Sequence, residues 1–197
     1  MKNITRLRTV FFQAGLLTTI LFGASSCSND KKPEDTKNIA EEHNNAKFDN
    51  TKIENDAQFL VNAAEINLKE ISLGQLAQQN SSMADVKEMG KSMEETHNKS
   101  QNELIALAKK KLITVPTALT DNAQDAYKKL NNKSGADFDK DYCDMMVKGH
   151  KDAIDVFEKA STKSNDGDIR EWAIASLPNL RRHLDNAITC QKKCEKM

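Results

Sequence analysis

The sequence predicts an all-α protein, an up-down-up-down bundle of four long helices, from three observations. Between residues 51 and 197 there are only five glycines and two prolines, Pro116 and Pro178. Apolar residues there recur at three- and four-residue spacing, and the two-residue alternation of strands is nowhere sustained. About 145 residues is also enough for one domain with its own core.

The first segment, 53–79, aligns Phe59, Ala63, Ile66, Glu70, Gly74 and Ala77 on one face, and the second, 83–111, aligns Val86, Met89, Met93, His97, Leu104 and Leu107. Thr114-Val115-Pro116 breaks the pattern, and a short extra helix over 120–131 follows. The third long segment, 136–163, carries Phe138, Tyr142, Met146, His150, Ala153 and Phe157; the fourth, 167–194, carries Ile169, Trp172, Leu180, His183, Ala187 and Cys190. Asn80-Ser81-Ser82 and Ser164-Asn165-Asp166-Gly167 are short connections, so each joins antiparallel neighbours. The simplest assembly places both short loops at one end.

Upstream of this domain the chain has a different character. Residues 1–26 read as a secretory signal peptide: Lys2, Arg6 and Arg8, an apolar run from Val10 to Phe22, then Gly23-Ala24-Ser25-Ser26. A cysteine follows at position 27, the layout of a bacterial lipoprotein whose mature chain starts at an acylated Cys27. The apolar run is shorter than the roughly 20 residues that cross a bilayer, and Ser28 carries no inner-membrane retention signal. The expected location is the outer membrane, lipid-anchored and facing the periplasm. Residues 27–50 (CSNDKKPEDTKNIAEEHNNAKFDN) are nearly devoid of apolar side chains and read as the lipidated cysteine and a flexible tether, with His43 a solvated residue in it.

The whole chain balances 29 basic against 29 acidic residues, and loss of Lys2, Arg6 and Arg8 leaves 26 against 29. With no basic block there is no footprint for nucleic acid. The partners left are the membrane, reached through the lipid, and a protein, small molecule or metal.

Glu70, His97, His150 and His183 fall on the four predicted inner faces, one per helix, and counting from the loops puts them within about 8 Å along the axis. Three imidazoles and a carboxylate suit one zinc, copper or iron ion. Glu94, Tyr142, Met93 and Met146 are the candidate supporting residues. A di-iron centre requires Glu-x-x-His pairs on two helices; Glu94-x-x-His97 fits, but Val147 and Leu180 stand three residues before His150 and His183. The same four residues also fit a structural layer of hydrogen bonds that fixes helix packing, and acid/base catalysis is a third use. No nucleophile triad or phosphate loop is visible, which favours a binding or structural module over an enzyme. Cys143, Cys190 and Cys194 remain after lipidation. The register that faces His150 with His183 also faces Cys143 with Cys190, so a Cys143–Cys190 disulfide is expected, with Cys143–Cys194 one turn away as the alternative.

The stretches FLVNAAEINLKEISLGQLA, FDKDYCDMMVKGH and LPNLRRHLDNA carry a Glu before a Leu-Gly-x-Leu-Ala run, a Tyr with a His eight residues on, and Leu-Pro-x-Leu-x-x-His-Leu. Over residues 59–187 the chain resembles the bacterial predicted outer-membrane proteins classed as domain of unknown function 4142. The resemblance implies a ferritin-like bundle with Glu70, His97, Tyr142, His150, Pro178 and His183 on the family's characteristic positions. That family has no established biochemical activity, so the resemblance implies a fold and leaves function open.

Overall fold

The computed structural model describes residues 33–49 and 51–196. Among these the secondary structure is helical throughout: α1 (Thr36–Lys47), α2 (Thr51–Asn80), α3 (Ala84–Lys111), α4 (Asp121–Asn131), α5 (Gly135–Lys163) and α6 (Gly167–Cys194). No described helix is long and apolar enough to cross a membrane. The signal peptide and Cys27 lie outside the described residues. The boundaries of α2 to α6 fall within two residues of those read from periodicity. Thr120 caps α4 by accepting from the amide of Ala123, and Asp166 caps α6 by accepting from Asp168 and Ile169.

Helices α2 with α3 and α5 with α6 make the most extensive contacts, and α2 with α5 and α3 with α6 close the helical bundle. At the α2–α3 crossing Gly74 and Gly90 face each other; a Cβ on Gly74 would stand 2.5 Å from the Gly90 carbonyl oxygen, so the two backbones touch only because both residues lack side chains.

The order of directions differs from the expectation. The α2–α3 turn meets the start of α5, where the Asp139 carboxylate accepts from the Ser81 and Ser82 hydroxyls, and the end of α6, where Lys193 pairs with Asp85. At the other end, the amides of Asn165 and Asp166 in the α5–α6 turn donate to Asp56 near the start of α2, at 2.9 to 3.1 Å. The two short turns therefore lie at opposite ends, and the long helices run up, down, down, up. Short turns fix direction only within each pair; the 112–134 link decides between pairs. It is long enough to climb the whole bundle: nine extended residues reach about 30 Å and the 11-residue α4 adds about 16 Å, against about 42 Å for the 28 residues of α3.

The second departure is α1. Residues 36–47, expected to be part of a flexible tether, form a helix that clamps this crossover. Asn44 and Thr114 exchange two hydrogen bonds, Asn44 Nδ2 donating to the Thr114 carbonyl and the Thr114 amide donating to Asn44 Oδ1, each 2.8 Å. Lys37 Nζ lies 2.6 Å from Glu65 Oε2, while Glu65 Oε1 accepts from Thr120 and Asn122. Burial raises the Glu65 pKa, and the hydrogen bonds from Lys37, Asn122 and Thr120 more than offset that and hold it below its usual value. The helix is held by polar contacts, with Ala40 and Asn44 as its buried residues, and so leaves no hydrophobic stripe to read. His43 is exposed, as expected.

The core has two halves. One packs Phe59, Leu60, Leu104, Phe157 and Ile169, with Phe59, Phe157 and Trp172 in mutual ring contact at 5.1 to 5.9 Å. The other packs Leu73, Leu76, Met93, Phe138, Tyr142 and Met146.

Candidate metal centre

Three histidines meet in the middle of the bundle. His97 on α3, His150 on α5 and His183 on α6 are at most 3% exposed, and their ring centroids stand 5.4 to 5.8 Å apart. One nitrogen from each lies within 4.8 Å of the others. That is less than one helical turn of about 5.4 Å. An equilateral triangle of that edge has its centre about 2.8 Å from each corner, so a contraction of roughly 0.7 Å per ligand reaches the Zn–N distance of about 2.0 to 2.1 Å. Ring rotations about χ2 provide movements of that size.

The tautomers follow from the partners. His150 Nδ1 is 2.9 Å from the Met146 carbonyl, which can only accept, so this nitrogen carries the hydrogen. His97 Nδ1 is 2.9 Å from Asn67 Oδ1, and the Asn67 amide nitrogen donates to Ser100 and Gln101, so His97 Nδ1 also donates. The Nε2 lone pairs of both rings are left without a partner, as are both nitrogens of His183. Burial, then the neighbouring His150 and His183, then Lys69, hold His97 well below the usual histidine range. Burial, then His150 and Arg182, push His183 down to about 3. Neutral rings with free lone pairs are the form that binds metal.

The structure does not bring Glu70 into this group. It is buried on α2, with one carboxylate oxygen unpartnered, and it is directed toward Tyr142 and Gly149: a Cβ on Gly149 would stand 3.4 Å from Glu70 Oε1. Burial, then the Glu70 charge, raise the Tyr142 phenol well above its usual value. Tyr142 is stacked on Phe138 at 5.9 Å, and its hydroxyl also lacks a partner.

Glu94 turns away from the histidines. Its two oxygens accept from Gln75 (2.8 Å) and Gln78 (2.7 Å) on α2, and these bonds lower its pKa; Glu94-x-x-His97 is not a ligand pair here. Met93 and Met146 are fully buried packing residues, and Met146 supports His150 through its backbone carbonyl.

Asn67 is the residue the sequence reading missed. It lies one position past Ile66 and fixes the His97 ring. A buried asparagine one turn before Glu70 was the available signal. A cavity of about 200 Å³ reaches His97 and His183 from the surface, bordered by the exposed Lys99, Glu103 and Asn179.

The three thiols correct another expectation. Cys143, Cys190 and Cys194 are all free, and the Cys143 and Cys194 sulfurs stand 3.8 Å apart, far beyond an S–S bond of about 2.05 Å. The Cys143–Cys190 bond is not formed, nor its Cys143–Cys194 alternative.

No curated protein and no solved structure matches the chain. A family model does match, over residues 40–189, from inside α1 nearly to the end of α6. The chain belongs to the family described as Domain of unknown function (DUF4142).

Proposed function

We propose that this protein binds one first-row transition-metal ion, zinc, copper or iron, through His97, His150 and His183, and presents it in a lipid-anchored domain of the cell envelope. One observation carries the reading: three buried imidazoles bring one nitrogen each within 4.8 Å of the others, and Nε2 of His97 and of His150 and both nitrogens of His183 have no hydrogen-bond partner. A structural polar layer would satisfy its own groups. Here each unsatisfied nitrogen costs about 1 to 3 kcal/mol unless something binds it. Three histidines leave a fourth coordination position, and the cavity beside His97 and His183 supplies a route for the ion and room for a small ligand. Such a centre serves metal storage, sensing or redox protection. The single long crossover and the pairing of the helices support a ferritin-like four-helix arrangement, with a mononuclear site in place of a carboxylate-bridged pair.

Calorimetric titration of chelator-treated protein with zinc, copper and ferrous ions tests this. One equivalent should bind, and His150→Ala should abolish binding while costing stability mainly in the metal-loaded form. No heat and no shift in melting with any of the three would refute it.

The anchor is part of the same reading. Acylation at Cys27 would attach the chain to the outer membrane on the periplasmic side, and with residues 36–47 docked as α1, eight residues (28–35) separate Cys27 from the start of that helix. At full extension these reach about 28 Å. The domain would then work close to the lipid surface. Cys27→Ser should leave the protein unprocessed or release it from the membrane fraction; correct cleavage with full membrane retention would defeat the proposal.

A further inference from the structure

Sulfur is distributed very unevenly in this molecule. Met83, Met89, Met93, Met145, Met146, Cys143, Cys190 and Cys194 are all the sulfur-bearing side chains of the described residues, and every one belongs to the core half on the α2–α3 turn side. The other half, around Phe59 and Phe157, contains none. Packing alone needs no such segregation, since leucine fills space as well as methionine and with better-defined rotamers.

Three of these sulfurs form a chain of contacts at the end of the bundle, with the Cys190 thiol packed in the same cluster. Cys143 Sγ is 3.8 Å from Cys194 Sγ, Cys194 Sγ is 3.6 Å from Met83 Sδ, and Cys190 is buried in the same core half, its Sγ 3.9 Å from the Asp85 carbonyl oxygen. Ligand sulfurs around an ion with metal–sulfur bonds of about 2.3 Å stand roughly 3.8 to 4.0 Å apart. The Cys143–Cys194 spacing of 3.8 Å matches that separation, and the Cys194–Met83 spacing of 3.6 Å is slightly inside it. Met83 occupies the N-cap of α3, a position that favours Ser, Thr, Asp or Asn, and it makes no side-chain capping bond there. Its thioether faces Cys194 instead.

From this geometry we infer a second metal site, for a cuprous ion, built from the thiolates of Cys143, Cys190 and Cys194 with the Met83 thioether. Thiolate and thioether together select a soft monovalent ion; zinc takes thiolate, imidazole or carboxylate. Each thiol that ligates releases its proton to solvent. Asp139 acts on both Cys190 and Cys194 and Asp144 on Cys194, while Asp85 near Cys190 is paired with Lys193, so the acidic groups outnumber the basic one and favour a cation over an anion. Cys194 is partly exposed and provides access, while Cys143 is fully buried, in contact with Cys194 and interacting with Cys190. Cys143 is therefore the central ligand. This site is separate from the imidazole centre and stands or falls independently of it.

The test is a competition between the reduced protein, kept anaerobic, and a coloured cuprous chelator, with X-ray absorption of the bound copper. The wild type should withdraw one equivalent bound to sulfur scatterers. Cys143→Ser should weaken the sulfur-bound copper about 100-fold and Met83→Leu about 10-fold, while His150→Gln, which removes a ligand of the imidazole centre, should leave the sulfur-bound copper in place. Helicity and melting of each variant are measured alongside; Met83→Leu keeps the shape of a half-buried turn residue and reads binding even where Cys143→Ser unfolds. Failure of the wild type to compete, a nitrogen-only coordination shell, or wild-type affinity in Met83→Leu would overturn the inference. Loss of copper in His150→Gln but not in Cys143→Ser would assign the ion to the imidazoles and overturn it as well.

Discussion

Lowering the pH from about 7 to about 5 should destabilise the metal-free protein through its buried histidines. The folded state holds His183 down to about 3, whereas an unfolded histidine titrates near 6.5. Between those values the unfolded chain binds a proton that the folded chain does not, so stability falls as pH falls through 6.5 and goes on falling toward 3. At about 1.36 kcal/mol per pH unit, the 1.5 units from 6.5 to about 5 cost roughly 2 kcal/mol for His183 alone. His97, held low by burial and by its neighbours His150 and His183, adds a loss of the same sign. Paired carboxylates such as Glu65 contribute mainly below their unfolded value of 4.5, outside this window. Urea unfolding in the presence of a chelator, at the two pH values, measures the difference. His183→Gln removes one titrating ring, so its own drop between the two pH values should be smaller by about 2 kcal/mol. An unchanged unfolding free energy in the wild type, or the same drop in His183→Gln, would show that the rings are solvated or already paired, and the case for free lone pairs would fall with them.

Three further outcomes follow from the packing. Gly74→Ala should destabilise by about 1 to 3 kcal/mol even after its gain in helix propensity, because the new Cβ meets the Gly90 carbonyl oxygen at 2.5 Å; a melting temperature at or above wild type would contradict the close crossing. Gly149→Ala, whose Cβ would meet only the Glu70 carboxylate at 3.4 Å, should be neutral or mildly stabilising in the same assay. Glu65→Ala removes the acceptor shared by Lys37, Thr120 and Asn122 and should cost about 2 to 3 kcal/mol, with faster proteolysis at α1; equal protease resistance would mean that α1 docks by other contacts.

Much of this architecture is legible in the chain, for identifiable reasons. Thr120 and Asp166 mark helix starts by cap chemistry, and the apolar stripes of α2 to α6 carry a three- and four-residue period because each helix buries one face. What escaped the sequence is what depends on polar contacts between distant segments. Helix α1 is recognisable only once Asn44 is seen paired with Thr114 and Lys37 with Glu65, contacts 70 and 28 residues apart. The direction of α5 escaped for the same reason, since it is set by Asp56 meeting Asn165 and Asp139 meeting Ser81. Asn67 escaped because an amide on an inner face resembles any other polar residue until the ring it orients is known.

The histidine layer survived the error in topology, and the reason is geometric. Depths counted from two short turns at the same end became depths counted from opposite ends once α5 and α6 reversed, which would separate residues near the ends of their helices by most of the bundle length. His97, His150 and His183 each lie close to the midpoint of a helix of 28 or 29 residues, and a midpoint stays level when a helix is turned over. The cysteines make the contrast. Cys143 near the start of α5 and Cys190 and Cys194 near the end of α6 remain together because both helices turn over as a pair, but the reversal brings them to the α2–α3 turn and Met83. With the two short turns at one end, Met83 would sit a full bundle length from those thiols. The imidazole centre is therefore indifferent to the order of directions, whereas the sulfur cluster exists only because the chain crosses over between α3 and α5.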